Sequence, residues 1–178
     1  MALPEPVHLF TRADLERVIE AGDLEAIARR TACALEMRVY LSDAFIHASS
    51  EETIRVSWLR KSSAHDGLAM WLAAEWQAGE GQAGEGQVVG AERLGCGATR
   101  ASVFTRYLRS AAFRPIGEDE FNTRLQASAS DLRDPLFLPL LAGFVGALLM
   151  QEIDRDLIVS LLAEYRDGWL HFYWDSTA

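Results

Sequence analysis

The sequence predicts an all-α fold, a single-domain bundle of about eight helices. Three observations carry that prediction: helix-cap signals recur along the chain, apolar residues repeat at helical spacing between them, and no alternating β-branched runs stand out. The chain has 178 residues, enough for one domain with a real core and no metal or disulfide staples.

TRADLERVIEAG opens with Thr11 and places Asp14 three residues on, a capping-box pattern. Leu15, Val18 and Ile19 share one face, and Gly22 stops the helix. Asp23 then caps a long second helix through about Ala44, whose apolar residues leave little polar face, so it is expected to be buried on two sides. SSEETIRVSWLR repeats the capping logic with Ser49 and Glu52, and Ile54, Trp58 and Leu59 supply an apolar stripe. GLAMWLAAEWQ, rich in Ala, Leu, Met and Trp, reads as a fourth helix.

Next comes QAGEG-QAGEG-Q, which contains GEGQAG, Gly79 to Gly84, a G-x-G-x-x-G match. A phosphate cradle needs a strand before the glycines and a helix N-terminus after them. The preceding residues are helical in composition, and Glu80 and Glu85 put negative charge where phosphate would lie. A flexible Gly-rich loop at about 77–91 is the expectation.

Beyond the loop, ATRASVFTRYLRSAAF sets Val103, Phe104, Tyr107, Leu108 and Ala111 at helical spacing, ended by Pro115 and Gly117. GEDEFNTRLQASAS begins with three acids, Glu118 to Glu120, suited to a helix N-terminus. Asp134 and Pro135 give an N-cap and first-turn start for a central core helix over Leu136 to Met150, with Pro139 bending or delaying it. A last helix is expected from about Asp154 to Trp174.

The net charge of −9 argues against a nucleic-acid backbone as partner and favours a cationic one. Cys33 and Cys96 lack metal spacing, and Cys33 is expected to be a buried thiol. The N-terminus carries prolines and acids where a signal peptide would carry a basic start, and the longest apolar run is too short for a membrane helix, so a cytoplasmic chain is expected. His8, His47, His65 and His171 are scattered, Ser62, Ser63, His65 and Asp66 stand too close together for a catalytic relay, and no acid pair stands out. The chain is therefore read as non-catalytic, with no cofactor and no metal.

WLHFYW, Trp169 to Trp174, would place aromatics all the way round a helix. Something must cover both sides: packing against the early helices, or a partner peptide or second subunit.

The order of segments resembles the TorD/DmsD family of molybdoenzyme maturation chaperones, from about Ala28 to Trp174. ARRTACALEMRVYLSDAFIHASSEETI, GCGATRASVFTRYLRSAAFRPIGEDE, RDPLFLPLLAGFVGALL and DRDLIVSLLAEYRDGWLHF carry the likeness. Asp134 matches the acid at the head of the family's core helix, and Trp169 with Phe172 matches its late aromatic pair. Pro135 stands where the family has histidine, and the family's aromatic loop motif is missing. The resemblance implies a TorD-like all-helical protein that binds the twin-arginine signal peptide of a cofactor-containing oxidoreductase. Such a peptide is basic and apolar, so a receptor needs acids beside an apolar groove. Asp131, Asp134, Asp154 and Asp156, with Trp174 near the C-terminal end, are the residues expected to bind it. The alternative is a non-catalytic all-helical subunit or adaptor of a permanent complex, and a homodimer fits either reading.

Overall fold

The computed structural model describes residues 9–47, 51–62, 65–82, 100–152 and 158–176. Among them, helices α1 (Arg12–Ala21), α2 (Leu24–Ala32), α3 (Gly67–Gln82), α4 (Arg100–Ser110) and α5 (Glu118–Ser128) surround six strands. The strands are β1 (Glu36–Tyr40), β2 (Glu52–Arg60), β3 (Ala111–Ile116), β4 (Phe144–Glu152), β5 (Ile158–Tyr165) and β6 (Gly168–Ser176). All pair antiparallel in one sheet of order β1-β2-β6-β5-β4-β3.

The sheet overturns the expected all-α bundle. The second helix ends at Ala32, and Glu36–Tyr40 of its expected span is β1. The segment expected to start a third helix is β2, where Ile54 and Val56 face one way and Arg55 and Ser57 the other. The expected core helix is a loop through Gly143 followed by β4, and the expected last helix holds β5 and β6, turned at Arg166 and Asp167. These strands are covered on both faces, so their apolar residues run on without the alternation that marks a half-exposed strand. The TorD-like fold, and the chaperone role that came with it, find no support here.

Several local expectations do appear. Thr11 and Asp14 form the capping box of α1, and Gly22 closes it in the left-handed region. Glu118, Asp119 and Glu120 occupy the first turn of α5. The helix over GLAMWLAAEWQ continues to Gln82, taking in the first glycines of the repeat, while the rest of the Gly-rich stretch lies outside the described residues. Cys33 is exposed rather than buried, its thiol donating to the Arg29 carbonyl at 3.4 Å in the last turn of α2.

The two sheet faces make two cores. One face, with Leu148, Leu162 and Trp169, packs under Leu15, Ala28, Met70, Trp71 and Leu108 from the first four helices. The other, with Val56, Leu149, Leu161 and Phe172, packs against Phe121 and Leu125 of α5 and against Phe45 and Leu132. The strand period explains the aromatic surplus of WLHFYW. Trp169, His171 and Tyr173 point to the first face, while Leu170, Phe172 and Trp174 point to the second.

Candidate functional site

Two regions carry features beyond packing: a polar patch within the first sheet face, and the outer edge of β1.

The polar patch forms because three central strands place polar residues at neighbouring register positions. Arg55 stands opposite Tyr173, and Tyr173 opposite Ser160. Ser57 stands opposite His171, one row along. Glu75 reaches this patch from α3. His171 Nε2 lies 2.9 Å from Glu75 Oε1 and 3.1 Å from Ser160 Oγ, and the Ser160 hydroxyl also donates to Glu75. Trp71 Nε1 donates to Ser160 Oγ at 3.4 Å. Nearby, the Tyr173 hydroxyl donates to Asp175 at 3.1 Å, and the Arg55 guanidinium lies 5.9 Å from the Tyr173 ring centre. Burial, with the Glu75 and Asp175 carboxylates adding to it, pushes the Tyr173 phenol well above its ordinary range and keeps it a donor.

Serine, histidine and glutamate suggest nucleophile chemistry, but the geometry does not arrange it. A relay needs the acid on one ring nitrogen and the hydroxyl on the other. Here both sit on Nε2. The His171 and Glu75 residues are 1% and 3% exposed, so a substrate has no approach in this conformation. What the patch does is fix α3 on the sheet, because buried polar groups cost free energy unless each finds its partner. Among the described residues, no group of three or more His, Cys, Asp and Glu side chains is placed to hold a metal.

β1 presents the contrasting situation. One of its edges pairs with β2 and the other is the border of the sheet. On the second face the loop after α5 covers it: the Phe137 amide donates to Tyr40 Oη at 3.0 Å, and the Arg38 guanidinium lies 4.2 Å from the Phe137 ring centre. On the first face Met37 and Val39 are 41% and 40% exposed. The opposite border, β3, is guarded differently. Pro115 lacks the amide hydrogen a further strand would need, and Arg114 is held by Glu120 at 2.6 Å. A cleft of about 500 Å³ beside β3 is lined by Phe10, Thr11, Arg12, Ala112, Phe113 and Pro115. Its polar groups are engaged: Arg12 donates to the Leu108, Arg109 and Ala111 carbonyls, and Thr11 to Asp14.

Of the expected binding residues, Asp131, Asp134 and Trp174 fall among the described residues. Asp131 and Asp134 are exposed on the loop after α5, and the core helix they were expected to flank does not exist. Asp154 and Asp156 lie outside the described residues. Trp174 is half-buried in β6 opposite Ile54 and Val159, packed on the second core, with its indole Nε1 buried and without a hydrogen-bond partner. Of the suspected Ser62–Asp66 cluster, His65 meets Thr31 at 3.2 Å and Asp66 accepts from the Ala69 amide at 2.8 Å, both helix-fixing contacts. Sequence reasoning passed over Glu75 and Ser160 and set His171 aside as one of four scattered histidines. The signal for them was a single polar residue inside each of three apolar runs.

The class defined by these features is a mixed α/β protein with one antiparallel sheet and helices on both faces. Comparison with known protein families, with curated proteins and with solved structures gives no match.

Proposed function

We propose that this chain is a cytoplasmic, non-catalytic protein-binding domain that pairs an extended segment of a polypeptide along the outer edge of β1. The observation that carries the reading is the asymmetry of the two sheet borders. A proline blocks β3, whereas β1 has no proline and exposes Met37 and Val39 on one face. Strand addition supplies main-chain hydrogen bonds for affinity and alternate side chains for selectivity, and β1 offers both. The buried condition of the Glu75, Ser160 and His171 patch supports a binding role over a catalytic one. No helix among the described residues is long and apolar enough to cross a membrane.

Site-specific photo-crosslinking tests the proposal. A benzophenone amino acid is placed at Val39, or at Ala112 on the opposite border as control, and cells are irradiated. Adducts to a polypeptide are expected at position 39, lost when Met37→Asp is added, and absent at position 112. Equal adducts at both positions, or none at 39, would remove β1 as the binding edge.

A further inference from the structure

Resting on that reading, we infer that the segment added to β1 is β1 of a second copy of this chain. Leu35–Val39 reads L-E-M-R-V, a pattern that is its own complement when turned about Met37. In an antiparallel pair, residues directly opposite each other share a sheet face. A two-fold axis at Met37 therefore sets Met37 against Met37 and Glu36 against Arg38 of the second copy, with its Val39 meeting Leu35, which precedes the strand and packs partly on the first core. Apolar residues meet on the face where Met37 and Val39 are exposed. Opposite charges meet, twice, on the other, where Glu36 and Arg38 stay exposed although Arg38 also rests on the Phe137 ring.

Neighbouring registers lack this complementarity. Centring on Arg38 opposes two arginines and leaves Glu36 against Tyr40. Centring on Val39 opposes Glu36 to Ser42 and Arg38 to Tyr40. One register alone of the three satisfies both faces, which is how a strand edge selects its partner and phase. The arrangement is isologous, so it closes after two copies and leaves β3, with Pro115, as the border at each end. A closed pair removes the open edge that would otherwise recruit strands without limit.

The test is sedimentation equilibrium on the purified full chain, with three variants whose thermal midpoints are checked against the parent. The parent is expected to be a dimer. Glu36→Arg opposes arginines at both symmetry-related positions and Arg38→Glu opposes glutamates, so each should raise the dissociation constant about tenfold or more. Combining Glu36→Arg with Arg38→Glu restores both pairs in reverse and should bring the constant back to within about threefold of the parent. A parent that is monomeric up to about 1 mM, the weak end of specific association, overturns the inference. So does a dimer indifferent to the single reversals, or a combined variant that stays weak. If the parent is monomeric while position 39 still crosslinks to another polypeptide, the second copy is excluded and the binding edge stands; if neither is seen, both fall.

Discussion

His171 and Glu75, 96 positions apart in the chain, meet inside the first core with Nε2 2.9 Å from Oε1. Breaking a buried pair from one side leaves the other group without compensation, at a cost of about 3–5 kcal/mol. Glu75→Ala and His171→Ala should each lower the urea midpoint strongly. Replacing both residues with leucine removes the polar groups together, so Glu75→Leu/His171→Leu should cost clearly less than the two leucine variants summed. Strict additivity in a denaturation cycle would show that the two side chains are energetically independent.

Gly22 and Gly143 both adopt positive φ, at 73° and 64°, but their surroundings differ. A Cβ on Gly22 enters open space, whereas one on Gly143 overlaps the Arg166 guanidinium. Gly22→Ala should therefore cost only the left-handed backbone penalty, about 1–2 kcal/mol. Gly143→Ala should cost little more, because the overlapping atoms are the far end of the exposed, flexible Arg166 side chain, which can swing aside. A loss at Gly143 several times that at Gly22 would contradict this.

Acid should weaken the protein through carboxylates held in their charged form. Hydrogen bonds from the Thr11 amide and then its hydroxyl depress the Asp14 carboxyl, and the Arg114 and Arg124 guanidiniums hold Glu120 down to about 2. A folded value below the unfolded one contributes stability that is present above the unfolded value, about 4, and is lost as pH falls through the folded value. Asp14→Asn and Glu120→Gln should thus lower the melting temperature at pH 6, with a difference from the parent that shrinks toward pH 2. A difference that grows on acidification has the wrong sign. Thr11→Ala, which removes the cap hydroxyl, should cost about 1 kcal/mol at neutral pH.

Phe172 and Trp174 share the second face of β6 but not the same burial. Phe172→Ala should cost about 3–5 kcal/mol in chemical denaturation. Trp174→Phe keeps most of the ring contact and removes an indole N–H that has no partner, so stability should stay within about 1 kcal/mol of the parent. A large loss on Trp174→Phe would mean that the indole N–H is satisfied in solution.

The chain announces its helix termini more clearly than its strands. Thr11 with Asp14, Gly22 and the acids at 118–120 act through local chemistry, and each is legible from neighbouring residues. β5 and β6 are not, because I-V-S-L-L-A and W-L-H-F-Y-W bury both sides and lose their alternation. β2 was open to the strand reading through Thr53, Ile54 and Val56. The chance spacing of Ile54, Trp58 and Leu59 offered a helix instead. The polar patch depends on a register between strands and on a helix from another part of the chain, which no local pattern encodes. The L-E-M-R-V complement needs only the sequence, but its meaning depends on β1 being a border strand.

The position of β6 has a consequence for the chain as it leaves the ribosome. β2 emerges early, yet its inner neighbour is made over a hundred residues later, since Leu59 pairs with Trp169. Until then the β1–β2 hairpin lacks its inner neighbour and stands apart from the β3–β4–β5 part of the sheet. Closing so long a loop is an entropic cost met before the β2–β6 pairing that offsets it, so the full sheet assembles only once β6 has emerged. A nascent chain stalled before Gly168 should therefore be as protease-sensitive as an unfolded one, whatever length of it has already emerged.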